Sequence, residues 1–318
     1  MTEQSSAVPE PRAFLTENPL QADDEGFDDG ASLNSYENGR RYHAFREGSY
    51  FVPNDEEEQG RMDLVHHIYR LILGGKLYLS PLKDQVGRVL DMGTGTGIWA
   101  MDFADEHPEA EVLGTDLSPI QPNWVPPNCI FEIEDFESDW LYGRPFDFVF
   151  GRELEACIAD DRALFRRVFE NLKPGGYFEM QGVNPEFLSD DDTAKKALNA
   201  NKWMQLMVDG AAKFGKPFDT PIHWKEKFIE AGFVDVKQEV RKLPIGAWPK
   251  DPKLKEIGRA QSYQELQVID SYTPGLLSRG LGWSAIEINV FMPMVRTDLK
   301  NPDIHLYLPV YFVWGRKP

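Results

Sequence analysis

Apolar positions fall into short runs separated by longer amphipathic stretches, and this alternation predicts a repeating strand–helix chain. Residues 88–92 (Arg-Val-Leu-Asp-Met) read as a short buried strand. Residues 97–106 read as a helix stopped before Pro108, and 110–116 as a second strand. A Pro-rich loop over 119–127 leads to a third strand at 129–134, and 146–150 is a fourth. A helix over 162–172, closed by Lys173-Pro174-Gly175-Gly176, precedes a fifth strand at 177–183. Beyond Val183 the rhythm breaks. Helices are expected at 190–214, 224–231, 253–272 and 283–297, with strands at 233–240 and 305–314. Upstream, Met62, Val65, Ile68, Tyr69 and Ile72 recur at roughly helical spacing, and Gly74-Gly75 stops that helix.

Seven strands in this order call for an α/β fold with a doubly wound, mostly parallel sheet and ligand at the carboxyl ends of the strands. The segmentation that follows is an acidic tail over 1–35, a helical lid over 36–85 and a main domain over 86–318. Helical cap insertions fall at about 190–215 and 250–300. The tail is rich in Pro, Asp, Glu and Ser with few apolar anchors, the composition of a disordered segment.

Charge narrows the partners. The formal net charge is −18, and residues 1–60 hold 14 acidic and 4 basic side chains, so −10 of it sits there. Nucleic-acid binding needs basic surface, so none is expected. No run of about 18 apolar residues occurs, which argues against a membrane span. The N-terminus lacks a basic start followed by an apolar stretch. The two cysteines, Cys129 and Cys157, offer neither metal spacing nor a disulfide framework. A cytoplasmic protein without a metal is the expectation, with the nucleus as the alternative for a regulator.

The chemistry concentrates at Asp91-Met-Gly93-Thr94-Gly95-Thr96-Gly97, which follows a strand and opens a helix. Glycines there permit a tight turn and let a ligand lie against the backbone. The spacing is Gly-x-Gly-x-Gly, led by an acid, and not the Gly-x-Gly-x-x-Gly that receives a pyrophosphate. It suits S-adenosylmethionine, with its amino-acid part on the loop and its ammonium near Asp91. Asp116, 19 residues past Gly97 at the end of the second strand, can accept both ribose hydroxyls, with Leu117 beside it. Asp135 and Phe136 end the third strand, where an acid can accept from the adenine amino group and a ring can stack on it. Arg152 and Glu153 end the fourth, beside donor and acceptor. An ordinary loop would explain the glycines but not two further acids at successive strand ends.

From Arg41 to Pro318 the chain resembles the fungal LaeA-like methyltransferases, a branch of the class I S-adenosylmethionine-dependent family. The resemblance rests on Arg41-Tyr42-His43, on 50–58 (Tyr-Phe-Val-Pro-Asn-Asp-Glu-Glu-Glu), on His66-His67, and on 90–100 around the glycine loop. It continues through 116–122, Trp124 with 126–128, 172–176, 231–233, 244–249 and the ending Gly315-Arg-Lys-Pro318. It implies a Rossmann-like class I methyltransferase fold, the methyl donor, and a place in fungal secondary metabolism or its regulation. Substrate identity does not carry over, because 151–155 (Gly-Arg-Glu-Leu-Glu) and Asp160-Asp161 depart from the family's pattern near the expected substrate mouth.

Methyl transfer from a sulfonium is an in-line displacement, so alignment and desolvation supply much of the acceleration. A base helps when the acceptor is a hydroxyl or a protonated amine. Candidates are Glu153, His43 and His66, with His67 and His223 behind them. His66 and His67 are neighbours on a helix and point about 100° apart, so only one can face a site. Either is more often a packing or surface histidine. Tyr42, Tyr50 and Arg61 belong to the lid and would close over the donor or simply pack. Trp203, Met204, Met207, Trp248, Tyr263 and Trp283 are candidates to line an apolar acceptor pocket, though each alone is more often core. Three readings follow: an enzyme that methylates a small, partly apolar metabolite at oxygen, with nitrogen or carbon as the alternatives; a regulator acting in a protein complex; or a donor-binding fold repurposed for a rearrangement. A homodimer or a regulatory protein partner is compatible with all three.

Overall fold

The computed structural model describes residues 34–37, 40–43, 52–83 and 85–318, excepting the side chains of 34–37 and 43. The first elements are a hairpin of β1 (Asn34–Glu37) and β2 (Arg40–His43), followed by α1 (Glu56–Leu73). Asn34 and Ser35, which composition assigns to the acidic tail, are therefore part of a strand, held by antiparallel pairing with His43 and Tyr42. The expected tail up to residue 33 lies outside the described residues. Helix α1 starts where Asp55 accepts from the Glu58 amide at 3.1 Å, and the Arg40 guanidinium clamps that same carboxylate. It stops at Gly74, at φ 67.

The core follows as β3 (Arg88–Met92), α2 (Ile98–Glu106), β4 (Glu111–Asp116), β5 (Cys129–Ile133), β6 (Phe146–Arg152), α3 (Asp161–Asn171) and β7 (Leu172–Val183). Then come α4 (Leu198–Lys213), α5 (Trp224–Glu230), β8 (Val234–Pro244), α6 (Pro252–Gly275), α7 (Ala285–Leu299) and β9 (Tyr307–Arg316). The sheet order is β5-β4-β3-β6-β7-β9-β8, and only β9 runs against the rest. This is the Rossmann-like seven-stranded, mostly parallel sheet.

Successive residues of the central strands feed opposite layers, which is why they read as mostly apolar runs and not as a strict alternation. Val89, Phe148 and Phe150 pack with Trp99 and Phe103 of α2, while Leu90 and Val149 pack with Phe165 of α3 and Phe228 of α5. Trp99 lies flat on Phe150, with ring centroids 3.8 Å apart. A third cluster joins α1, α4, α6 and α7 into a cap over Phe312 and Leu308 of β9.

Two local expectations are corrected. Lys173–Gly176, read as a helix end and turn, lies within β7 as an irregular stretch. The Gly175 amide donates to the Lys317 carbonyl and the Lys317 amide to the Gly176 carbonyl, so the end of the chain supplies the missing ladder bonds. The helix expected over 190–214 is split into a 3-10 turn, Thr193–Lys196, and α4. Asp191 caps the turn through both the amide and the hydroxyl of Thr193, and Asp298 caps α4 through the amides of Asn199 and Ala200.

Candidate active site

The chain leaves β3 at Met92 and turns through 93–97 into α2. Gly93, Gly95 and Gly97 have φ of 60, 58 and 81, in the left-handed region that favours glycine. Their surroundings differ. A Cβ on Gly93 would lie 2.5 Å from Leu154 Cδ2, and one on Gly95 would face Met62 Sδ at 3.1 Å. One on Gly97 would fall within 2.8 Å of Phe131 Cε1, so Gly97 is pressed on a ring beneath the loop and does not line the cleft. Side chains pin the loop from three sides. Asp116 Oδ2 accepts from the Gly95 amide at 2.9 Å, Gln121 donates to the Gly95 carbonyl at 2.7 Å, and Thr96 donates to Asp63 of α1 at 2.7 Å.

The loop forms one wall of a cleft of about 1100 Å³, open mouth included. Gly93, Thr94, Gly95, Thr96, Asp116, Leu117, Asp135, Phe136 and Arg152 line it, which brings nine of the sequence-nominated donor residues together. Asp91 is not on that surface. It is buried under the loop, where its Oδ2 accepts from Thr94 Oγ1 at 2.5 Å, and burial pushes its carboxyl up to about 7. Tyr50 lies outside the described residues.

The cleft's cations are paired. Lys216 meets Glu137 at 3.0 Å, and Arg61 meets Glu58 at 2.7 Å. Arg152 donates to His66 Nδ1 at 3.0 Å while its guanidinium covers the Tyr69 ring. His66 Nε2 in turn meets Asp102 at 3.0 Å. Both ring nitrogens of His66 are thus engaged, and His66 lines neither cavity. Burial is the main cause that lowers its pKa, and the charges of Arg152 and Arg70 add to it.

Glu153 stands where the cleft meets a second chamber of about 570 Å³, open space included, since Arg61, Glu153 and Tyr272 border both. Its backbone is left-handed at φ 56, uncommon for a residue with a Cβ, and its amide donates to Gln181 O at 2.9 Å. Tyr69 Oη donates to Glu153 Oε1. Burial raises the Glu153 pKa and outweighs the Tyr69 hydrogen bond and the nearby charges of Arg61 and Arg152.

Trp203, Met204 and Met207 line the second chamber, as the sequence suggested. Trp248, Tyr263 and Trp283 do not. Trp248 donates to the Leu306 carbonyl, Tyr263 is exposed, and Trp283 packs on Phe291. Among the histidines, His67 and His223 are exposed, and the His43 side chain lies outside the described residues. Tyr42 is buried under the Arg279 guanidinium. Sequence reasoning missed Met62 and Val65 of α1, Lys216 and Tyr272 in the cleft, and Glu155 and Glu265 in the chamber. For Met62 and Val65 the helical spacing was a usable signal; the others come together only through packing of distant segments. Among the described residues no group of His, Cys, Asp and Glu could hold a metal ion, and no helix is long and apolar enough to cross a membrane.

This fold and this carboxylate-walled loop define an α/β transferase that handles an adenosine-bearing donor. A family model described as a methyltransferase domain matches residues 41–238. The methyltransferase pytC of Aspergillus terreus is 38% identical over 285 residues, covering 89% of this chain and 88% of its own. The secondary metabolism regulator LAE1 of Cochliobolus heterostrophus is 34% identical, covering 90% of this chain and 95% of its own. A solved cyclopropane synthase, MmaA2 from Mycobacterium tuberculosis, is 16% identical with a TM-score of 0.48 over 79% of this chain and 83% of that one. The chain belongs to the LaeA-like family of S-adenosylmethionine-dependent methyltransferases.

Proposed function

We propose that this protein methylates a small, partly apolar metabolite, at oxygen, with Glu153 as the proton acceptor. One observation carries the reading: a carboxylate-walled donor cleft and a chamber lined in part by Trp203, Met204, Met207 and Phe218 meet at Glu153, so a donor and an acceptor seated in them would converge on one ionisable group. The cleft fits the donor. Asp116 and Asp135 stand in its wall, which would repel a pyrophosphate and suits ribose hydroxyls and an adenine amino group. Each Asp116 oxygen accepts one backbone amide, from Gly95 and from Ser118, and a carboxylate oxygen can accept more than one hydrogen bond. Phe136 would cover the adenine, and the 93–96 backbone the amino-acid part. When bound, S-adenosylmethionine supplies an electrophilic methyl group on a sulfonium.

The chain's own residues do the rest. Met62, Val65 and Tyr272 line the cleft, and their carbon would help to exclude water from the reacting groups. Glu153, held by the Tyr69 hydroxyl, would take the acceptor's hydroxyl proton on a carboxylate oxygen as the oxygen gains the methyl group and the methyl–sulfur bond breaks, with S-adenosylhomocysteine as the leaving group. The raised pKa of Glu153 brings it closer to neutral pH, where a base is most effective. The regulator names among the relatives favour a second reading, in which the same site serves a protein in a regulatory complex.

Deleting the gene and comparing metabolite extracts separates the two. Loss of one compound and appearance of its form lighter by one methyl group is expected. Collapse of many unrelated pathways, with no demethylated precursor, would overturn the small-molecule reading.

A further inference from the structure

The chamber beyond Glu153 is more acidic than an apolar acceptor needs. Three carboxyl side chains border it: Glu153, Glu155 and Glu265. The guanidinium on its wall, Arg61, gives both Nε and a terminal nitrogen to one oxygen of Glu58, so it is already matched by another acid. Glu155 is 6% exposed and its Oε1 has no hydrogen-bond partner. An orphaned carboxylate oxygen is costly, because burial removes its water and nothing replaces it. That oxygen is turned onto the backbone of β7: a Cβ on Gly182 would lie 1.5 Å from Glu155 Oε1. Gln261 holds Glu265 Oε2 at 2.9 Å. Gln264 also lines the chamber and accepts from Gln261 at 2.9 Å, while Trp203 has spent its indole N–H on Thr273 at 2.8 Å, leaving only its apolar faces.

We propose, resting on the acceptor-chamber reading above, that the acceptor carries a basic nitrogen beside an aromatic or fused-ring body, and that Glu155 and Glu265 anchor it as a cation. A protonated amine in the chamber would pair with the Glu155 and Glu265 carboxylates that line it and offset the acid excess. The rings would fill the space between Trp203, Met207 and Phe218. Burial raises both carboxyls, Glu265 to about 7, and an incoming cation would bring them back toward the ionised form.

The test uses the full chain saturated with S-adenosylhomocysteine, titrated calorimetrically with 1-naphthylmethylamine, 1-naphthylmethanol and 1-naphthoate. The amine is expected to bind about tenfold more tightly than the alcohol, with the carboxylate weakest. In Glu155→Gln and Glu265→Gln that preference is expected to shrink to about threefold or less. Equal or tighter binding of the alcohol or the carboxylate would overturn the proposal. So would no binding of the amine at millimolar concentration, or an amine preference unchanged in both variants. The wild-type probe series stands even if one variant fails to fold. Failure of S-adenosylhomocysteine itself to bind would instead sink the donor-site reading on which this one is built.

Discussion

The Arg152 guanidinium sits 3.0 Å from Nδ1 of His66, and this contact dictates the proton on the ring. A guanidinium only donates, so Nδ1 must accept, and the ring proton belongs on Nε2, facing Asp102. His66 thereby holds Arg152 in the cleft wall and acts as a positioning residue. Its imidazole should titrate below the ordinary histidine value, which NMR can follow. His66→Ala should weaken S-adenosylhomocysteine binding about three- to tenfold, as expected for one hydrogen bond of about 1 kcal/mol. Asp102→Ala on top of it should add little, because both act through one chain of contacts. Donor affinity unchanged in His66→Ala, with methylation and one limb of the pH–rate profile lost, would make His66 the base instead.

Asp116 has two duties, and their loss should compound. Its carboxylate accepts from the Gly95 and Ser118 amides and would face the ribose. Asp116→Ala should therefore weaken donor binding by about 10- to 100-fold, from hydrogen bonds to a charged group of about 1.5–3 kcal/mol. Calorimetry with S-adenosylmethionine reads this directly, and an unchanged affinity would remove Asp116 from the donor site.

The frame was legible because parallel strands buried on both faces leave short, mostly apolar runs, and 88–92 and 146–150 are such runs, each interrupted by one aspartate. The donor loop was legible because glycine at a left-handed φ is a local requirement. What the loop's glycines press against was not: Gly97 answers to Phe131, which lies on another strand. Aromatic residues of the cap were equally opaque. Trp203 and Met207 share a face of α4 and reach the chamber, while Trp283, no less apolar, packs against Phe291. The chamber's acids come from residues 155 and 265, joined only by the cap helices packing back on the sheet, and no local pattern encodes that.

Stability should fall as pH rises through the range set by the buried acids. Burial raises Asp91 from 3.8 to about 7 and Glu265 from 4.5 to about 7. Between the unfolded and folded values the folded chain holds a proton that the unfolded chain has lost, so each group subtracts stability as pH climbs from about 4 to 7. The penalty is complete above the folded value, at up to about 4 kcal/mol for Asp91 and 3 for Glu265, at 1.36 kcal/mol per unit. Asp91→Asn and Glu265→Gln should each gain stability relative to wild type between pH 4 and pH 8. Urea midpoints at the two pH values measure it, and a difference that stays flat would show that the carboxyl in question ionises normally.

Gly97 supplies the sharpest test of the loop. An alanine there meets two separate costs: a left-handed φ of 81, worth about 1–2 kcal/mol, and collision with the Phe131 ring, worth about 1–3 kcal/mol. Gly97→Ala should lose about 3 kcal/mol, with donor affinity falling as the loop shifts. Gly143 is exposed, and a Cβ there meets nothing within 4 Å, so Gly143→Ala should stay within about 0.5 kcal/mol of wild type. The two costs can be separated in a Phe131→Ala background, where the ring is gone and only the φ cost is left. There the glycine substitution should cost about 1–2 kcal/mol, less than in wild type. An equal cost in both backgrounds would mean that backbone conformation alone, and not the ring beneath it, demands glycine at this turn.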